Sequence, residues 1–233
     1  MSKNGQFLEA VVTPFVQVAT YATRNFATLG QLELLPPFTG ASFDEEGKFI
    51  NVNNTVSSFT NLLFAYEQIY VKPGLMTPGM TTETISGISE TQIINISTCL
   101  LDGSFQFSPL RRIFVPKPKS SEFRPITIAS PIDRIVHRSV ANVLEEIFEP
   151  IFLSVSYGFR SQISTHTFFH EVEQWAGIRR LIHADITKCF ENIDHLLLME
   201  LLRKRIADSH FLELIQHFLT TPIYDSLGTN FSH

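Results

Sequence analysis

Arg111-Arg112-Ile113-Phe114-Val115-Pro116-Lys117, followed by Phe123-Arg124-Pro125-Ile126-Thr127-Ile128, decides the architecture. Both runs are short and rich in β-branched or aromatic residues, and the Lys117–Glu122 segment joins them as a turn, so they predict a hairpin with basic edges. Pro131 then stands at a first helical turn. Ile135, Val136, Val140, Val143, Leu144 and Ile147 recur on one side of the following stretch, which predicts a helix to about Phe148, stopped by Pro150.

Upstream of the hairpin, Phe59, Leu62, Leu63, Tyr66 and Ile69 give a helix from Val56 to Tyr70, broken by Lys72-Pro73-Gly74. A loop from Thr77 to Thr82 leads to a second helix, about Ser89 to Leu101, closed by Asp102-Gly103. Downstream, the Ser156-Tyr157-Gly158-Phe159-Arg160 loop precedes a helix over Thr165–Trp175. Arg180–Ile186 reads as an apolar strand ending on Asp185, and helices follow over His195–Ile206 and His210–Leu219. A hairpin, helices, a strand and more helices make the fold class α+β rather than an alternating parallel one. Residues 1–54, with one helix near Leu8–Ala27, are poorly patterned and form an extension of unknown role.

Composition bounds the function. The 233 residues suit one large or two small domains, and 44% apolar with 18% charged residues excludes a disordered chain. Cys99 and Cys189 lie too far apart in sequence for a disulfide framework or a cysteine zinc site. No apolar run reaches the roughly 18 residues of a membrane span, so no membrane partner is expected. Neither a secretory leader nor an Arg-rich transit peptide reads clearly in residues 1–30. The formal net charge of −5 argues against a uniformly basic nucleic-acid sleeve. The sign is uneven, however: Arg111, Arg112, Lys117, Lys119, Arg124, Arg134 and Arg138 face only Glu122 and Asp133 within that window. A local basic strip of this kind marks a phosphate contact or a solvated surface.

Two segments carry chemistry. In His183-Ala184-Asp185-Ile186-Thr187-Lys188-Cys189-Phe190 a strand delivers an aspartate just before a helix. Its carboxylate and the next carbonyl are hard oxygen donors suited to magnesium, and the alternative is an N-cap without metal. Asp194 also reads as a cap. In the hairpin, Lys117 and Arg124 flank the turn where both would face a polyphosphate; the alternative is a lysine-decorated edge that blocks sheet pairing. His166 and His170 share a helix face but lack a third ligand, so no zinc site is expected. Neither a glycine-rich phosphate loop nor a nucleophile elbow is present.

Several blocks occur in a distinctive order: Lys72-Pro73-Gly74 with Thr77-Pro78-Gly79, the Arg111–Lys117 run, Arg124–Ile128, Asp133-Arg134-Ile135-Val136, Glu149-Pro150-Ile151-Phe152, Ser156–Arg160, Ala184-Asp185-Ile186 with Cys189-Phe190, and Ile193-Asp194-His195. Over about residues 60–220 this string resembles the fingers and first palm segment of group II intron reverse transcriptases, the intron-encoded maturases. The resemblance implies a right-hand fold with residues 55–182 fingers-like and 183–233 the start of a palm. Asp185 then matches the first metal-binding aspartate and Ile186 the neighbour whose carbonyl helps hold the ion. Phe190 matches the aromatic under the sugar of the incoming nucleotide. Lys117 and Arg124 match the cations that grip its triphosphate, and Arg111, Arg112 and Arg134 would lie near template or intron RNA.

The departures shape the functional expectation. Met80-Thr81 stand where the family continues with Asp-Gly, and the family is usually basic. After Tyr224-Asp225-Ser226-Leu227-Gly228 the family would present a glutamine-glycine block and the Tyr-Ala-Asp-Asp hairpin; here the sequence runs to His233. One aspartate cannot hold two cations, so no polymerisation is expected from this chain alone, and Mg2+ enters only where a partner completes the palm. Three readings remain: a structural subunit of a ribonucleoprotein such as an organellar ribosome or splicing particle, bound to intron or ribosomal RNA and to protein partners; the N-terminal half of a split RNA-directed DNA polymerase or maturase completed by a second polypeptide; or a decaying pseudogene product or sequence fragment. The expected location is a mitochondrion or other organelle, or a bacterial cytoplasm.

Overall fold

The computed structural model describes residues 42–72, 74, 76–118, 121–160, 163–187, 189–225 and 230–231. The helix expected near Leu8–Ala27 lies outside them. A small ribbon comes first, β1 (Ser42–Phe43) paired antiparallel with β2 (Phe49–Ile50). The helix expected over Val56–Tyr70 is two helices, α1 (Val52–Ser57) and α2 (Phe59–Tyr70). Between them Ser58 is extended, with φ −60° and ψ 136°, and its side chain accepts the Asn61 N–H, so the residue that interrupts one helix caps the next. Next come α3 (Glu90–Leu101), opened by a Ser89/Gln92 capping box, and the hairpin of β3 (Leu110–Pro116) and β4 (Phe123–Ile128). Ser130 caps α4 (Pro131–Phe148), with Pro131 in its first turn as expected. The remaining elements are α5 (Thr165–Glu173), α6 (His195–Arg203), α7 (Ser209–Leu219), β5 (Ile223–Asp225) and β6 (Asn230–Phe231).

The larger sheet has the order β4-β3-β5-β6. Along β3, residues 111–116 pair antiparallel with β4, while 110–112 pair in parallel with β5, so that only 111 and 112 have a partner strand on each side. Thus a strand late in the sequence is fixed to the root of the hairpin. One apolar cluster joins the layers: Val52 and Leu62 from α1 and α2, Ile93 from α3, Ile135 and Val143 from α4, Met199 from α6, Phe211 and Leu219 from α7, and Leu110 and Ile223 from the sheet.

Two polar devices lock this cluster. Asn61 donates to the Ser139 hydroxyl at 2.7 Å and accepts from Asn142 at 3.1 Å, while Ser139 donates to the Val56 carbonyl at 2.6 Å, so buried polar groups of α1, α2 and α4 satisfy one another. The Asp208 carboxylate accepts the N–H of Asn53 in α1 at 2.8 Å and of Phe211 in α7 at 3.1 Å. A single side chain therefore serves the amino ends of two helices distant in sequence.

The strand expected over Arg180–Ile186 is not formed. Residues 180–186 carry no regular secondary structure, and Leu181, Ile182 and Ile186 are 80, 90 and 70% exposed. β-propensity is satisfied only when a neighbouring strand takes up the backbone groups, and no strand pairs with this segment among the described residues. Helix α5 likewise has no buried residue. The loop before it is held by Arg160, which donates to Glu149 at 2.7 and 2.9 Å and to the Leu153 and Ser156 carbonyls.

Candidate nucleotide and RNA interface

The hairpin positions two of the expected site residues. Val115 pairs with Arg124, and the Lys117 N–H donates to the Glu122 carbonyl at 2.9 Å, which extends the ladder toward the turn. Alternation along each strand therefore places Val115, Lys117, Glu122 and Arg124 on one face. The Lys117 ammonium donates to Glu122 Oε2 at 2.6 Å, and both side chains are largely solvated. This contact holds the Glu122 carboxyl below the usual carboxylate range. The Arg124 side chain is exposed and makes no hydrogen bond or ion pair among the described residues. The face thus offers a solvated guanidinium beside an ammonium that already has an acidic partner. The sequence reading counted Glu122 as an acid of the basic window but not as the partner of Lys117, although its position across a short turn was the available signal.

The three arginines expected near RNA have different surroundings. Arg112 is 2% exposed, on β3 in register with Asp225 of β5, so it offers no guanidinium to a ligand from solvent. Arg134 donates through Nε to the Ala129 carbonyl at 3.0 Å and through Nη2 to the Thr77 carbonyl. Arg111 donates to the Pro78 carbonyl at 3.2 Å. The fold brings Arg111 and Arg134 together, but as a clasp on the Thr77–Gly79 loop. Local sequence could not show this, because the carbonyls lie more than thirty positions upstream.

Gly79 completes the clasp. A Cβ there would stand 3.0 Å from the Ser130 N and Cα and 3.2 Å from the Ala129 carbonyl carbon, all backbone atoms that cannot rotate away. Gly79→Ala is expected to cost about 1–3 kcal/mol by overpacking, read as a lower midpoint in thermal or urea unfolding. An unchanged midpoint would show that the loop is not seated this tightly.

Asp185 lies on the exposed 180–186 segment and makes no hydrogen bond or ion pair among the described residues. Ile186 follows it into solvent, and Phe190 opens a single 3-10 turn, Phe190–Asn192, half-buried. Nothing among the described contacts joins Asp185 to the hairpin face. Asp194 is the cap the sequence indicated, accepting the N–H groups of Leu196 at 2.8 Å and Leu197 at 3.1 Å. Among the described residues no three His, Cys, Asp or Glu side chains converge as metal donors. A pair of magnesium ions needs several shared hard oxygens, so this donor set does not fit such a site.

On the buried face of α4 lie two titratable groups whose burial the sequence did not show. Asp133 is buried, its carboxyl accepting the Ser108 N–H at 3.1 Å; burial pushes it up to about 6 against the opposing pull of the Ser130 and Ser108 hydrogen bonds. His137 is packed between Phe218, with ring centroids 4.0 Å apart, and Phe107, at 5.4 Å. Neither of its ring nitrogens has a hydrogen-bond partner among the described residues. Burial and, second, the Arg134 charge lower its pKa to about 3.

Comparison with known proteins accounts for the order of blocks. Residues 115–232 match the reverse transcriptase (RNA-dependent DNA polymerase) family. A protein of Saccharomyces cerevisiae assigned to intron 1 of COX1/OXI3 is 32% identical over 228 residues, covering 91% of this chain and 27% of the relative. The group II intron-encoded protein LtrA of Lactococcus lactis is 37% identical over 156 residues, covering 66% of this chain and 26% of its own length. Nuclear intron maturase 1, mitochondrial, of Arabidopsis thaliana is 32% identical over 88 residues, 37% of this chain and 12% of the maturase. The chain spans about a quarter of the length of the first two relatives. The ordered motifs, the mixed helix and sheet fold and the family match agree: this chain belongs to the reverse transcriptase family and, within it, to the group II intron reverse transcriptases and maturases.

Proposed function

We propose that this chain is an RNA-associated part of a group II intron reverse transcriptase, with residues 55–182 fingers-like and 183–233 the start of a palm, that does not polymerise by itself and serves as a structural subunit of a ribonucleoprotein. The observation that carries this reading is the lone Asp185 carboxylate on an exposed segment, with no converging donor set among the described residues. Its RNA is intron or ribosomal, and protein partners share the particle. Relatives whose names place them in mitochondria point to an organellar particle, and the Lactococcus lactis relative points to a bacterial cytoplasm as the alternative.

A second reading is favoured by a specific feature, the exposed Leu181, Ile182 and Ile186 around Asp185. Further residues, on the same or another polypeptide, would pair with this segment and supply the missing carboxylates. Magnesium would then sit at Asp185 and the Ile186 carbonyl, with Lys117, Arg124 and Phe190 around the nucleotide. Primer extension separates the two. The 233-residue chain alone is expected to add no nucleotide, with or without Asp185→Asn, while sedimenting with a large RNA particle. Incorporation by the chain alone, abolished by Asp185→Asn, would overturn the first reading, and so would sedimentation as an RNA-free monomer.

A further inference from the structure

A cavity of about 240 Å3 lies where the start of α1, the turn after α3 and one side of α7 meet. Asp102, the residue that ends α3, and Glu213 of α7 bring carboxylates to its wall. Glu213 is exposed, and its side chain makes no hydrogen bond or ion pair among the described residues. Hydrogen bonds from Ser104, through its side chain and through its N–H at 2.9 Å, hold the Asp102 carboxyl below the usual range and keep it ionised. Asp102 also marks the negative pole of α3, whose last turn carries no basic residue.

The third wall adds an independent demand for a donor. Asn53 of α1 lines the cavity and is only 5% exposed. Its Nδ2 donates to the Leu100 carbonyl at 2.9 Å, while its Oδ1 accepts no hydrogen bond among the described residues. A buried amide oxygen left without a donor costs free energy, so an N–H arriving through the cavity is favoured there. Phe105 and Leu214 supply apolar wall, and His210 and His217 stand one turn to either side of Glu213.

Size and charge select the occupant. The volume is below the roughly 300–1,000 Å3 of small-molecule sites and suits one long side chain. Two carboxylates repel phosphate, which sets RNA aside. No three His, Cys, Asp or Glu side chains among the described residues converge on a metal ion. A guanidinium meets what remains, with planar donors for the carboxylates and the Asn53 oxygen and a flat face for an aromatic wall. We propose that this cavity receives an arginine side chain from a basic segment of a partner protein, gripped by Asp102 and Glu213 with one N–H on Asn53 Oδ1. The net charge of −5 attracts such a segment over longer range, and the assignment holds whether or not the chain binds RNA.

The test is 1H–15N NMR of the 233-residue chain at pH 7.5 and low salt, titrated with N-acetyl-L-arginine amide. The Asn53 side-chain amide and the Gly103 N–H are expected to shift, with a dissociation constant of about 1 mM. N-acetyl-L-citrulline amide has the same shape without the charge and is expected to bind about tenfold more weakly. Glu213→Gln and Asp102→Asn are each expected to weaken the arginine about fivefold, and together about twentyfold. Both positions are exposed and both substitutions keep an acceptor, so melting temperatures within about 2 °C of wild type are expected and weaker binding is not unfolding. A capped Gly-Lys-Arg-Lys-Gly peptide is expected to bind about tenfold more tightly than the amide at low salt and to lose that gain at about 0.5 M salt. Equal binding of the arginine and citrulline amides, or arginine binding indifferent to both substitutions, would overturn the proposal. So would the absence of any shift up to about 20 mM arginine amide. An oligoribonucleotide that competes with arginine for the same signals, or self-association abolished by Glu213→Gln, would also overturn it, giving the cavity to RNA or to a second copy of this chain.

Discussion

His137→Leu is expected to separate from wild type in stability as the pH falls, the variant becoming the more stable by about 2 kcal/mol at pH 5. Above pH 6.5 the imidazole is neutral in both folded and unfolded chains and contributes no pH dependence. Below that, the unfolded chain takes up a proton that the folded one refuses until about pH 3, so wild type loses stability through the interval. Asp133 acts in the opposite sense. Its folded pKa of about 6 lies above the ordinary 3.8, so the folded protein holds a proton the unfolded chain has lost, and stability falls as pH rises between those values. In wild type the two slopes nearly cancel between pH 4 and 6; the variant exposes that of Asp133 and becomes more stable toward acid. At neutral pH the substitution is expected to be neutral or stabilising, because neither imidazole nitrogen has a partner to lose. Urea unfolding of both proteins at pH 4, 5, 6 and 7.5 reads the difference directly. Parallel curves would mean that His137 titrates freely.

Asp208→Ala is expected to cost about 2–3 kcal/mol, since one truncation removes a cap from α1 and another from α7 at about 1 kcal/mol or more each. Asp194→Ala is the control: that side chain serves α6 alone, and its loss is expected to cost about 1 kcal/mol. In thermal unfolding the first variant should melt roughly 5–10 °C below wild type. A loss no larger than that of the control would show that the bond to Asn53 contributes nothing to the coupling of α1 with α7.

The features legible in sequence were those decided within a few residues. The hairpin followed from two β-prone runs around a turn, and α4 from Pro131 and a clear apolar stripe. The break at Ser58 was hidden, because the apolar spacing runs through it and only the backbone turn reveals the cap. Arg180–Ile186 has the composition of a strand, but composition is silent on whether a partner strand stands beside it. The basic strip was legible as charge but not as contacts. Arg111 and Arg134 carry charge, which suggests phosphate, yet their contacts are carbonyls of a loop far upstream, while Arg112 is interior.

The root of the hairpin has a mechanical consequence. Arg111 and Arg112 of β3 are held on both flanks, by β4 and by β5, whereas Ile113–Pro116 are held by β4 alone. The outer half is a cantilever clamped at Arg112, and any bending of the tip carrying Lys117 and Arg124 pivots beside Ile113. Side chains at that pivot, well away from the tip charges, set how stiffly those charges are offered to whatever approaches them.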